Sequence, residues 1–180
     1  MSFYTGVGSR NAPPEILSLM AKYASILEGW DYVLRTGDAK GSDKSFSKGV
    51  KNSKNKIVLK SNDAKPWAYD YVCECMPIDR PKYDAPGGYL SWKPYVKGLL
   101  ARNMMQVLGI NGEEPSQFLI CWTPDEDMET SLVGGTGYAI RCAKKNKIPV
   151  FNLVFESHQV AFEGLLRNIL TSRVQRKESM

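Results

Sequence analysis

Apolar positions along this chain follow two alternating rhythms: short runs bounded by glycine, and longer stretches repeating every three to four residues. The run SFYTGVGS is partly β-branched and aromatic and predicts a first strand ending near Gly6. A helix is expected next. Asn11 offers a cap, Pro13 and Pro14 suit the first turn, and Ile16, Leu17, Met20, Ala24 and Leu27 keep helical spacing until Gly29. DYVLRTGD predicts a second strand, AKGSDKSFSKGV a short helix opened by Gly41 and Ser42, and KIVLKS a third strand.

Residues 61–93 break the rhythm with repeated prolines, the pair Gly87 and Gly88, and aromatics in PWAY and GYLSW, so a long irregular excursion is expected there. The pattern resumes in PYVKGLLARNMMQVLG, where Val96, Leu99, Leu100, Met104, Val107 and Leu108 form a helical stripe. SQFLICWT reads as a buried strand, IPVFNLV as another, and residues 157–171 as a C-terminal helix followed by a frayed polar tail over 172–180. Strands alternating with helices predict a Rossmann-like three-layer α/β sandwich with a mostly parallel central sheet, because parallel neighbours need a crossover. The expected organisation is one domain over 1–171 with a long insertion at about 61–93. In such sheets ligands gather beyond the carboxyl ends of the strands, where the loops 6–10, 36–43 and 134–138 should meet.

The stretch LVGGTGYAIRCAKKNKIPVFNL concentrates three glycines and a threonine at the entrance of a helix. Glycine there serves a left-handed backbone or the close approach of a partner. A helix start offers unpaired N–H groups and the positive end of its dipole, which suit a phosphate. Taken alone, the cluster fits either a phosphate cradle or a tight turn.

Composition narrows the choice only in part. At 180 residues, 43% hydrophobic and 24% charged, the chain can bury a core without disulfide or metal staples, and no apolar run is long enough to span a bilayer. The N-terminus lacks the features of a secretory signal, so a cytoplasmic location with reduced thiols is expected. The four cysteines, Cys73, Cys75, Cys121 and Cys142, are scattered without zinc-hook spacing, so no metal is expected. His158, the single histidine, reads as a surface residue at a helix start, which leaves little material for a histidine-based catalytic centre. The net charge of +5 suits a nucleic acid or a small phosphorylated ligand equally.

The segments YTGVGSR, RTGDAKGSDKSF, LLARNMMQVL, LICWT and GGTGYAIRCAKKNKIPVFNL together resemble the SLOG superfamily of Rossmann-like nucleotide-binding proteins. That group includes the LOG phosphoribohydrolases and the DprA/Smf recombination mediators, and the chain is most similar to its small stand-alone phage members. The resemblance implies three phosphate-facing loops: Gly6, Gly8, Ser9 and Arg10; Gly37, Gly41, Ser42 and Asp43; and Gly134, Gly135, Thr136 and Gly137. Backbone N–H groups and the hydroxyls of Ser9, Ser42 and Thr136 would donate to phosphate oxygens, and Arg10 would add a planar fork. Asp43 would repel a phosphate, so it is expected to cap its helix or accept from a ribose hydroxyl. Arg102 and Asn103 interrupt an apolar helical face at a position where the family often carries an Arg–Asn pair directed at the ligand.

One departure bears on chemistry. LOG enzymes carry PGGxGTxxE, whose glutamate is expected to help cleave the base from a nucleoside monophosphate; aligned without gaps, Val133, Tyr138 and Arg141 hold its Pro, Thr and Glu positions. Arginine can neither stabilise an oxocarbenium ion nor activate water at neutral pH. The acidic loop of Asp125, Glu126, Asp127 and Glu129 is a substitute source of carboxylate, though such a run is more often a solvated surface. The reading placed first is therefore a nucleotide-binding sensor or sequestering protein without further cofactor, with Trp67, Tyr69, Tyr89 and Trp92 as base-stacking candidates. A nucleotide N-glycosidase comes second. A DprA-like single-stranded DNA binder, drawing on Lys44, Lys48, Lys51, Lys54, Lys56 and Lys60, comes third. The expected partners are a small phosphorylated nucleotide-type ligand, with nucleic acid as a further candidate, no membrane, and a second copy of the chain in a homodimer.

Overall fold

The computed structural model describes residues 1–77, 84, 86–124 and 134–178. Five short strands, β1 (Ser2–Gly6), β2 (Tyr32–Thr36), β3 (Lys56–Val58), β4 (Leu119–Cys121) and β5 (Val150–Asn152), form one sheet in the order β3-β2-β1-β4-β5. Every neighbouring pair is parallel. Each strand therefore returns through a crossover, and both sheet faces are covered.

The pleat divides β4 between two cores: Leu119 and Cys121 enter one, and Ile120 between them enters the other. Against Ile120, Tyr4 and Leu34 pack α1 (Pro14–Glu28) through Met20, Ala24 and Leu27, α2 (Ser42–Gly49) through Phe46, and α6 (Glu156–Glu178) through Phe162 and Leu166. On the opposite face lie α3 (Pro66–Glu74) through Ala68 and Val72, α4 (Pro94–Leu108) through Leu100, Met104 and Val107, and α5 (Gly135–Lys145) through Ile140 and Cys142. The result is the Rossmann-like three-layer sandwich expected from the alternating rhythm. Among the described residues, no helix is long and apolar enough to cross a membrane.

Local details depart from the sequence reading in three places. Asn11 does not cap α1; Pro13 holds that position, and the Asn11 N–H instead donates to Ser9 Oγ at 3.1 Å. Two consecutive prolines fix the backbone turn that a cap side chain would otherwise stabilise. The described residues of the 61–93 stretch are less irregular than expected, because Pro66 opens α3 and Ala68 and Val72, four residues apart, bury a helical stripe beside α4. The C-terminal helix runs on to Glu178, well past the expected end near residue 171. Arg173 anchors this extension by donating to the Trp30 carbonyl at 2.9 Å and pairing with Asp31 at 3.3 Å.

Candidate functional site

In the strand order β3-β2-β1-β4-β5, the chain leaves β1 toward one edge of the sheet and later returns to build β4 and β5 on its other side. The loops after β1 and β4 thus diverge and leave a crevice at the carboxyl ends, where open α/β sheets bind ligands. A cleft of about 970 Å³ occupies this position. Gly8, Ser9 and Arg10 from the loop after β1, Gly37 and Asp43 from the region after β2, and Gly134, Gly135 and Thr136 at the start of α5 line one part of it. Arg102 and Asn103 of α4 line it between the second and third loops, and Trp92, Lys93, Tyr95 and Val96 complete the lining.

Ten of the sequence-selected residues therefore meet in one space: Gly8, Ser9, Arg10, Gly37, Asp43, Arg102, Asn103, Gly134, Gly135 and Thr136. Gly6, Gly41, Ser42 and Gly137 lie behind this lining and hold it together. A Cβ on Gly6 would collide with the Phe46 ring, so this glycine allows α2 to seat against β1. Gly41 has φ +81 and lies against the backbone of Ser9 and Arg10, a left-handed close approach that requires glycine. Ser42 is fully buried, and both its N–H and its hydroxyl donate to the Ser9 carbonyl, at 3.3 and 2.9 Å. Its hydroxyl thus fastens the first loop to the second. Gly137 is buried within α5.

The first loop is also pinned to the chain following β4. Val7 N–H donates to the Ile120 carbonyl at 3.2 Å, and Ser9 N–H to the Trp122 carbonyl at 2.9 Å. Thr123 is fixed in turn by Asn152, which accepts from its N–H at 3.1 Å and donates to its carbonyl at 3.0 Å. His158 is part of this brace rather than a free surface residue, since its Nδ1 accepts the Asn152 N–H at 3.1 Å.

Arg102 is a structural link as well as a cleft residue. Its Nη1 donates to the Gly37 carbonyl at 3.1 Å, while Nε and Nη2 donate to Asn103 Oδ1 at 3.3 and 2.9 Å. Asn103 Nδ2 donates to the Gly135 carbonyl at 2.7 Å. Two adjacent α4 residues thus couple the second and third loops. Burial lowers the Arg102 pKa, and the nearby Asp43 charge opposes that change.

Asp43 does not cap α2; Gly41 holds the cap position, without a side-chain cap bond. The Asp43 carboxylate reaches back, accepts the Gly37 N–H at 3.2 Å, and lies against the N–H groups of Ala39 and Gly8. Burial, with only 3% of the residue exposed, pushes its pKa up to about 6. Arg102 and the three amides pull in the other direction without cancelling the cost of desolvation.

Among the stacking candidates, Trp92 reaches the cleft. Trp67 donates Nε1–H to the Ile110 carbonyl at 3.0 Å, Tyr69 packs near Gly98, and Tyr89 is buried with its ring centroid 5.5 Å from that of Trp92. These three aromatics hold their segments onto the body. Tyr95, 65% exposed on the first turn of α4, was not singled out because it merges into a helical pattern. Its position just after Trp92 and Lys93 is the signal that was available. None of the six clustered lysines lines the cleft. Lys44 pairs with Asp38 at 3.0 Å, and Lys56 donates to the carbonyls of Ser47 and Val50 at the end of α2.

Arg141 lies outside the cleft lining. Its Nε donates to the Cys75 carbonyl at 2.6 Å and its guanidinium stands 4.5 Å from the Tyr138 ring centroid, whereas Tyr138 itself borders the cleft. Asp125, Glu126, Asp127 and Glu129, with Val133, lie outside the described residues.

No family model matches the chain, and no curated protein matches it. A solved structure of DNA processing protein A from Helicobacter pylori, described for its single-stranded DNA binding mode, is similar with a TM-score of 0.56 and 14% sequence identity, over 97% of this chain and 81% of that one. At that identity the likeness establishes the shared fold.

Proposed function

We propose that the cleft binds a nucleotide or nucleotide-derived phosphorylated ligand, and that the chain is a SLOG-type sensor or sequestering protein. The observation that carries this reading is the convergence of three glycine-containing loops on a single space at the point where the strand order reverses. Its volume of about 970 Å³ is in the range of small-molecule sites. The lining offers Arg10 and the first-turn N–H groups of α5, suited to phosphate, together with Trp92 and Tyr95, suited to a base. In this orientation Arg102 and Asn103 position the loops, and the backbone around Gly135 and Thr136 receives the phosphate.

A second reading, single-stranded nucleic acid, is favoured by the exposed Tyr95 beside Lys93 at the cleft mouth. Stacking platforms flanked by cations bind single strands, and the similar DNA processing protein A is described as a single-stranded DNA binder. A thermal-shift series with mononucleotides, cyclic dinucleotides, ADP-ribose derivatives and a short single-stranded oligonucleotide separates the two. Ligands that bind the native state raise its melting temperature. Stabilisation by a mononucleotide supports the first reading, stabilisation by the oligonucleotide alone supports the second, and no shift with any of them refutes both.

A further inference from the structure

The Gly37 amide of the second loop, which would be expected to face a phosphate, is turned toward a group the protein already carries. The Asp43 carboxylate accepts from Gly37 and lies against the N–H groups of Ala39 and Gly8, and it does so on the cleft wall. One carboxylate oxygen thus takes a main-chain amide of the loop that was expected to hold a ligand. Asp43 is thus an internal anion on the cleft wall, standing where the second loop would otherwise hold a ligand anion. An incoming phosphate is left with Arg10 and the start of α5.

We propose that Asp43 is the charge-selecting residue of the cleft: an anionic ligand enters together with one proton, which the Asp43 carboxylate takes up. This inference rests on the nucleotide reading above. Two negative groups in one partly buried space repel strongly, and the less costly solution is to neutralise one of them. The charged groups around Asp43 do not remove the conflict. Arg102 from α4 faces it but is committed to Gly37 and Asn103. Asp38 is paired with Lys44 of α2, and Arg10 stands at the exposed end of the first loop. Lys93 precedes α4 in the cleft lining, and α5 brings no acidic residue in its first turn. His158 reaches the cleft only through Asn152 and Thr123. The carboxyl's buried position already favours its protonated form, and a bound anion adds to that preference. No covalent step is involved; the proton comes from solvent or buffer and returns on release.

The test uses the full chain and adenosine 5′-phosphate methyl ester, a diester whose single charge does not change between about pH 5 and pH 8, so that any pH dependence belongs to the protein. Calorimetric titrations near neutral pH in buffers of different ionisation enthalpy count the protons taken up. The expected result is net uptake approaching one proton, with affinity falling roughly fiftyfold from about pH 5.5 to about pH 8. Asp43→Asn should show no uptake and a flat profile. If Asp43→Asn does not fold, the wild-type proton count decides by itself. Binding with no proton uptake and a flat profile overturns the role of Asp43. If none of AMP, its methyl ester, the cyclic dinucleotides and ADP-ribose binds at any pH, the nucleotide reading fails, and the inference with it; if only one of the latter two classes binds, the same proton count is made with it and decides.

Discussion

Asn103 Nδ2 donates to the Gly135 carbonyl at 2.7 Å, and this bond joins α4 to the glycine loop that opens α5. The same side chain accepts two bonds from Arg102, whose guanidinium also holds the Gly37 carbonyl. Asn103→Ala removes the hub and leaves a Gly135 carbonyl and an Arg102 guanidinium without their side-chain partner. The expected cost is about 1–3 kcal/mol of stability, from buried polar groups losing hydrogen bonds. Nucleotide affinity should fall as well, since the loops lose their common tether. Urea denaturation and calorimetry on the same protein check both effects.

A Cβ on Gly135 would stand 2.7 Å from Asn103 Nδ2, so even alanine presses on that hub. Gly135→Ala is expected to weaken nucleotide binding. Gly135→Asp should abolish it by adding negative charge at the helix start where a phosphate would sit. Circular dichroism should report a folded protein in both cases, because the residue lies at the cleft and not in the core. Affinity equal to wild type in Gly135→Asp would remove the third loop from the site.

Asp43 makes stability depend on pH with a definite sign. Its folded pKa of about 6 lies above the ordinary value of 3.8, so the folded state holds more protons between those limits. Its contribution to stability therefore decreases as pH rises from about 4 to about 6, and levels off above. Relative to wild type, Asp43→Asn should be more favourable at pH 7 than at pH 4, by an amount on the order of 3 kcal/mol. Urea midpoints of the two proteins across that range test it, and a pH-independent difference would contradict the assignment.

Arg141, which the sequence resemblance sets against the glutamate of LOG enzymes, bonds the Cys75 carbonyl through its side chain. Restoring the acid by Arg141→Glu is therefore not expected to produce base release from AMP, because the carboxylate would start outside the cleft. It should instead destabilise the protein by about 1–3 kcal/mol, through a lost hydrogen bond to a main-chain carbonyl. Chromatographic detection of free adenine after prolonged incubation decides the first point. Release by the wild type would revive the N-glycosidase reading and direct attention to other carboxylates, beginning with Asp43.

The layered α/β architecture was legible because strand and helix rhythms alternate plainly, and the loops after the strands could be located from their glycines alone. What those glycines do was not legible. Gly6 and Gly41 permit close packing against Phe46 and against the Ser9 and Arg10 backbone, which is a property of three-dimensional neighbours and not of spacing. Ser42 and Asp43 looked like ligand donors or caps, but both are turned toward the protein's own backbone. Helix α3 escaped notice because its buried stripe is only Ala68 and Val72 within a proline-rich setting. Tyr95 was hidden for the opposite reason, an aromatic in a convincing helix that happens to face outward at the cleft mouth.

The central claim is that one cleft, built by three loops and α4, receives a nucleotide-type ligand. Its most direct test is a titration of the isotopically labelled protein with AMP, followed through backbone amide resonances. The account expects saturable shifts concentrated at Ser9, Arg10, Gly37, Gly134, Gly135 and Thr136, extending to Trp92 and Tyr95 of the same lining. Saturable shifts confined to another surface, or a spectrum unchanged at millimolar AMP, would contradict it.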